Sequence, residues 1–314
     1  MLSWKPTAAQ GLTGMYLFSQ TGGGSDVATH GTAAQLSYSY DTRRILVSTL
    51  VEHYDQDFQM DTAFYSRTGF TSAFLYSEVN FYPEKAKRIG LIRVHPLVVA
   101  RHGRDRIQSG GEGFVFVGAS FNFNRQGFLR IQHGEGHEPW AGRRFRSGEP
   151  ASAFGSVQLF RWLNVGAHLV RAAWATFYDP VNPYQGRSTR GGFDITWQPS
   201  EHFNQSVSYS AERFERADTG AGVFDVDIVN TKSVYQFDKH FLMRFIEQWD
   251  SSRGELLSDF LASYEFVPGT VFHAGYGSLL ERLGFEDSQL GPNTNHYVTV
   301  RRGLFFKASY LHRF

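Results

Sequence analysis

The sequence predicts an all-β protein, an antiparallel up-and-down transmembrane β-barrel with roughly 14–16 strands in this chain. Three observations point there: period-two alternation from end to end, an aromatic- and glycine-rich composition, and a final strand that runs to the last residue. Of 314 residues, 16% are aromatic, with 29 Phe, 15 Tyr and 32 Gly against 10 Pro. Aromatic side chains favour strands, and glycine suits turns and close backbone approach.

Candidate strands fall near 11–20, 31–40, 43–54, 72–82, 88–102, 112–124, 126–137 and 152–161 in the first half. The second half adds 163–177, 188–198, 203–215, 223–237, 240–250, 255–266, 270–282 and 297–314. Each is chosen on alternation. Leu36, Tyr38 and Tyr40 are interleaved with Ser37 and Ser39. Val115, Val117, Ala119, Phe121 and Phe123 share a face. Phe193, Ile195 and Trp197 alternate with Asp194 and Thr196, and Val207, Tyr209 and Ala211 with Ser206, Ser208, Ser210 and Glu212. Leu256, Phe260, Ala262, Tyr264 and Phe266 oppose Leu257, Asp259, Leu261, Ser263 and Glu265. Many runs reach the 9–11 residues or so that a membrane strand needs, against about 5–6 for a soluble one.

Turns such as Gln198-Pro199-Ser200-Glu201 and Val267-Pro268-Gly269 are short. Residues 134–150, 179–186 and 285–295 read as long polar connections. Short turns at one rim and long loops at the other suit an outer-membrane barrel. Gly22-Gly23-Gly24-Ser25 reads as a flexible turn, since no Lys and helix follow it as in a phosphate loop. Trp140, Trp162, Trp174, Trp197 and Trp249 sit near strand ends, where a membrane barrel carries its aromatic girdles.

Charge is balanced, 31 Lys and Arg against 30 Asp and Glu, so no nucleic-acid partner is expected. Cysteine is absent, which removes disulfides and thiolate metal sites. Mean hydropathy is −0.34, and no apolar run approaches the ~18 residues of a transmembrane helix. The start, Met1-Leu2-Ser3-Trp4-Lys5-Pro6, lacks a basic region followed by an apolar stretch. The expectation is therefore one barrel domain over residues 1–314, the C-terminal part of a longer chain. If strands are missing upstream, it is not expected to fold stably alone.

The final strand reads Leu304-Phe305-Phe306-Lys307-Ala308-Ser309-Tyr310-Leu311-His312-Arg313-Phe314. Its alternation and terminal Phe314, with Tyr310 on the same face, resemble the signal read by the outer-membrane barrel assembly machinery. Tyr54-Asp55-Gln56-Asp57-Phe58 followed by Thr68-Gly69-Phe70 is similar to a segment of the family numbered five-nine-one-six among domains of unknown function, although Thr71-Ser72 stand where that family often has Pro-Arg. Tyr235-Gln236-Phe237 with Arg244-Phe245-Ile246, Tyr264-Glu265-Phe266-Val267-Pro268-Gly269-Thr270 and the segment from Phe306 to Phe314 resemble further segments of its barrel domain. The resemblance implies a bacterial outer-membrane location. It also implies a link to carbohydrate, because family members often carry a family-nine-type carbohydrate-binding module upstream. It supplies no catalytic residue.

The Pro268-Gly269 pair also stands on its own chemistry, fixed φ followed by a permissive residue. Arg143, Arg144 and Arg146 offer guanidinium groups that could meet lipopolysaccharide phosphates or an anionic solute. A solvated loop explains the same cluster, as it does that of Arg101, Arg104 and Arg106. His133-Gly134-Glu135-Gly136-His137-Glu138 has two histidines four apart. The glycines argue against a helix, and on a strand that spacing is roughly 13 Å at about 3.3 Å per residue, too far for one ion. No metal or cofactor is expected. Glu112, Asp194, Glu212, Asp259 and Glu265 fall on polar faces, where a barrel would place them inside beside Arg and Lys.

Two functions compatible with that fold are solute passage across the outer membrane and surface anchoring or display. The alternatives are a barrel-embedded hydrolase, for which no spacing of Ser, His and Asp selects a set, and a soluble β-sandwich binding module. The first expectation is a non-enzyme whose partners are outer-membrane lipid and lipopolysaccharide, the assembly machinery and, by resemblance, a glycan.

Overall fold

A computed structural model describes residues 2–22, 28–60, 65, 67–179, 181–286 and 289–311; side chains at 87 and 283–295 are outside the description. Among the described residues seventeen strands form one sheet. They are β1 (Leu2–Thr7), β2 (Gln10–Thr21), β3 (Thr29–Asp41), β4 (Ile45–Tyr54), β5 (Phe70–Val79), β6 (Leu91–Asp105), β7 (Gly110–Phe123), β8 (Phe128–Trp140) and β9 (Arg143–Phe160). Then come β10 (Leu163–Phe177), β11 (Tyr184–Trp197), β12 (Phe203–Arg216), β13 (Gly222–Gln236), β14 (Phe241–Asp250), β15 (Glu255–Val267), β16 (Thr270–Glu286) and β17 (Gln289–Ser309). One 3₁₀ turn, Glu84–Ile89, precedes β6.

Every register is antiparallel and joins a strand to its successor, from β1 with β2 through to β16 with β17. This is the up-and-down topology the alternation predicts. Among the described residues no register joins β1 to β17, so the sheet is not closed. It is also a single ladder. A sandwich needs a second sheet, and there is none among the described residues.

Three sequence expectations are corrected. The strand number is seventeen, because Leu2–Thr7 pairs with β2 across the two-residue turn Ala8-Ala9. Lys5-Pro6 hides its alternation, and Pro6 donates no ladder bond. Residues 134–150 are no loop: β8 and β9 stay paired as far as Trp140 and Arg143, turning at Ala141-Gly142. Likewise the described part of 285–295 continues the β16–β17 hairpin. Polarity misled here, since strands projecting into water need no apolar face.

Registers assign every strand residue to one of two faces. Val51 lies opposite Leu36 and Ala73, Ala100 opposite Leu75 and Val115, and Ile131 opposite Ala119. That face carries most of the exposed large apolar side chains, Tyr16, Phe18, Leu36, Val51, Leu75, Val98, Val115, Ile131, Leu169, Phe193 and Phe306 among them. The other face holds the buried residues, many of them polar: Ser72, Glu78, His95, Asp105, Ser120, Ser152, Ser188 and Ser263. A soluble fold buries its apolar face; this sheet does the reverse, as lipid-facing strands must.

One rim carries the tight turns and a band of aromatic pairs. Phe160 stacks on Trp162, Trp197 meets Phe203 edge-on, and Tyr235, Phe237 and Phe241 form a run. Trp162 and Trp197 thus stand where a girdle residue belongs. At the opposite rim the outer face turns polar, with Arg104, His137, Arg144, Arg171, Arg187 and Arg213 at outward register positions.

Gly269 closes the β15–β16 turn at φ +87°, and its N–H donates to Glu265 Oε1 at 3.0 Å. A Cβ there would also meet Leu311 at 2.6 Å. Gly269→Ala is expected to destabilise the hairpin by about 1–3 kcal/mol, as for other non-glycine residues held in that region. Urea unfolding of the detergent-refolded protein measures this; an unchanged midpoint would show that the turn relaxes freely.

Candidate functional site

The inner face gathers its charges beneath the β4–β5 connection. Gly31 on β3 makes room for that connection: a Cβ at Gly31 would lie 2.4 Å from the Phe58 backbone. Phe58 is only 4% exposed and joins Tyr54, Tyr65 and Phe70 in an aromatic cluster, with Tyr54 stacked on Phe70 at 5.2 Å. The Gln59 N–H donates to Ser19 Oγ on β2 at 3.0 Å. The connection therefore folds against the inner face of the sheet.

Arg67, near the end of this connection, sits 4.5 Å over the Phe70 ring. Its guanidinium grips the Glu112 carboxylate through two donors and reaches Asp105 at 3.2 Å. Arg101 on β6 bridges Glu52 at 3.4 Å, Ser72 at 3.2 Å and Glu112 at 3.6 Å. Glu52, Arg67, Arg101, Asp105 and Glu112 make one network at the mouth of the inner face. Bidentate pairing of this kind holds a loop in one place as well as offsetting charge.

Further round the ladder, Arg190 reaches Glu149 at 3.4 Å and Glu212 at 4.0 Å, and Ser188 donates to Glu212 at 2.7 Å. Arg244 pairs with Asp259 at 3.4 Å beside an inner-face hollow of about 650 Å³ that Arg301 also lines. Near the tight turns, Glu78 accepts from Tyr76 at 2.6 Å and meets His95 at 3.0 Å. Buried nitrogens of Arg101, Arg130, Arg244 and His95 have no protein partner among the described residues. Such groups call for water or solute.

The structure separates the residues singled out in sequence. Glu112, Glu212 and Asp259 do line the inner face beside arginines. Arg143 lies over Phe145 at 5.3 Å and donates to Pro183 O at 3.4 Å. Arg146 lies over Trp174 at 4.7 Å, and Arg144 is exposed opposite Pro139. They are strand residues near the tip of a hairpin, not one loop cluster. His133, Glu135 and His137 project outward from an extended β8, with His133 Nε2 3.9 Å from Glu135. Among the described residues no three His, Asp or Glu side chains converge as a metal site. Tyr310 is 76% exposed just past β17. Phe314 and most of the Gly22–Ser25 turn lie outside the described residues. Arg67 was not singled out in sequence. Its only signal is a charged residue beside Thr68-Gly69-Phe70, and nothing local says that the connection folds inward.

These features define a class, the antiparallel barrel with a polar inner face and an apolar outer one. No protein-family model matches the chain, and no curated protein does. Among solved structures it is similar to the Vibrio cholerae outer membrane protein OmpT in its in-vitro folded trimer form. Identity is 11%, over 96% of this chain and 98% of that one, with a TM-score of 0.36. It is also similar to the toluene transporters TodX of P. putida and TbuX of Ralstonia pickettii. TodX is 9% identical over 97% of this chain and 89% of its own, at a TM-score of 0.27. TbuX is 10% identical over 86% and 82%, at 0.25.

Proposed function

We propose that the chain is the membrane-spanning wall of a bacterial outer-membrane channel that passes small polar solutes past a charged constriction. One observation carries this reading: a seventeen-strand ladder buries serines and carboxylates on one face, while most of its exposed large apolar side chains lie on the other. Barrels of 16–18 strands leave an aqueous lumen, whereas side chains fill one of about eight. The inward-folded β4–β5 connection, fixed by Arg67 and Glu112, narrows that lumen near the wider-looped rim. Arg67 and Arg101, paired with Glu52, Asp105 and Glu112, line that constriction with charged groups that a polar solute meets as it sheds bulk water.

The test is conductance. Protein refolded in detergent and inserted into planar bilayers should give steady steps that scale with salt concentration. Folded, inserted protein that never conducts would overturn the channel reading.

A further inference from the structure

The outer face carries a hydrogen-bond chain that the channel does not use. His53 on β4 lies opposite Thr71 on β5, one register step from the loop-side end of both strands. Thr71 Oγ1 is 2.7 Å from His53 Nδ1, and His53 Nε2 is 3.1 Å from Asp55 Oδ1. The second carboxylate oxygen of Asp55 accepts from the Thr32 N–H at 2.9 Å and from the Thr32 hydroxyl. Arg106 donates through Nη1 to Thr71 Oγ1 at 2.9 Å and through Nη2 to Tyr54 O at 2.8 Å.

An ionised Asp55 only accepts, so His53 Nε2 carries a hydrogen. With the imidazole neutral, Nδ1 accepts and the Thr71 hydroxyl donates to it. Arg106 has no acceptor atom, so its contact places positive charge on the Thr71 oxygen. The result is a hydroxyl, a base oriented by a carboxylate, and a cation beside the attacking oxygen. His53 and Asp55 keep 37% and 40% of their side-chain surfaces open.

The surroundings select a substrate. Directly below, on the same face, lies a trough of about 540 Å³ lined by Val51, Ala73, Leu75, Ala100 and Val115. The small side chains of Ala73 and Ala100 leave its floor open. Val51 and Ala73 are the next outward residues after His53 and Thr71, so the trough begins about 7 Å from the hydroxyl at about 3.3 Å per residue. The trough's loop-side edge is polar, with His102 opposite Ala73 and with Glu135 and His137, and Arg104 lies above it opposite Thr71. The chain thus stands at the boundary between apolar band and headgroup level, a placement that rests on the sheet spanning a membrane.

The geometry points to an acyl-ester hydrolase site on the outer wall, with Thr71 as nucleophile, His53 as base, Asp55 as its orienting group and a long-chain lipid ester as substrate. The Thr71 oxygen adds to the ester carbonyl while its proton passes to His53 Nδ1. The tetrahedral oxyanion forms beside Arg106. Its collapse breaks the bond to the alcohol oxygen, which leaves with the proton from His53. Water, deprotonated by His53, then cleaves the acyl-Thr71 ester, releasing the fatty acid and restoring the hydroxyl.

The experiment uses the full chain refolded in detergent micelles, with p-nitrophenyl palmitate and butyrate as substrates. Wild type should release nitrophenol, palmitate faster than butyrate. Thr71→Val and His53→Gln should each lower the rate by about 10²-fold or more, and Thr71→Ser should keep most of it, which a merely structural hydroxyl would not require. Ala73→Leu should shrink the palmitate preference by filling the trough. A wild-type rate equal to that of folded Thr71→Val overturns the proposal, as does a fully active His53→Gln. If Thr71→Val fails to fold, a fluorophosphonate probe on wild type decides: a phosphonylated Thr71 peptide by mass spectrometry supports the site, and its absence overturns it. Conductance is read separately, so a failed channel leaves this result standing.

Discussion

Leu75→Arg should cost about 2–4 kcal/mol of folding stability in lipid, the toll for a guanidinium near the bilayer midplane on a barrel's outer wall. Leu75 is the middle outward residue of β5, between Ala73 towards the wider-looped rim and Ser77 and Val79 towards the tight turns. It is among the exposed large apolar side chains. In water such an exposed leucine would accept a charge at little cost. In hydrocarbon the charge must snorkel some two residues to reach a headgroup or thin the bilayer locally. The matched control is Ser210→Arg on the inner face of β12, opposite Gly192 and Ile228. That change should leave stability within about 0.5 kcal/mol, as for a surface site away from special features. Urea titration of both variants in lipid vesicles distinguishes the faces. Equal costs at the two positions would mean that the faces are not lipid and lumen.

Glu112→Ala should cost about 1–3 kcal/mol and free the β4–β5 connection. Glu112 accepts two hydrogen bonds from Arg67 and stands within 3.6 Å of Arg101. Removing it takes the bidentate acceptor from Arg67, leaving Arg67 with Asp105 and Arg101 with Glu52. Loss of hydrogen bonds to a charged group typically costs that much. Arg67 remains a third open to solvent, which holds the penalty below that of a sealed pair. With the connection released, single-channel conductance should rise and become noisier, and selectivity should shift towards anions because one carboxylate is gone. Bilayer recording of the variant beside wild type checks all three. Identical conductance and selectivity would remove Arg67 and its loop from the permeation path.

The two variants probe features that differ in how they are written into the chain. The barrel wall is local in sequence. Ser206, Ser208 and Ser210 alternate with Val207 and Tyr209 because side chains on a strand point to opposite faces, so a stretch of a few residues already declares both. For the same reason the inner positions of Glu112, Glu212 and Asp259 could be read before any partner was known. The Pro268-Gly269 turn is equally local, resting on two residues with restricted and permissive φ. Strand number was less legible at Leu2–Thr7, where a proline interrupts the pattern, and at the β8–β9 hairpin, where strands in water lose their apolar face.

Periodicity alone therefore separated an apolar face from a polar one, since one residue step reverses a side chain's face; that the apolar face is the exposed one was decided by the single sheet. What the fold alone decided is which distant residues meet. Thr71 finds His53 because the β4–β5 register sets them opposite, and Arg106 arrives only through the turn after β6. Arg67 finds Glu112 because Gly31 leaves space for a whole connection to lie inward. Register and loop packing depend on separations of tens of residues, and no short-range pattern encodes them.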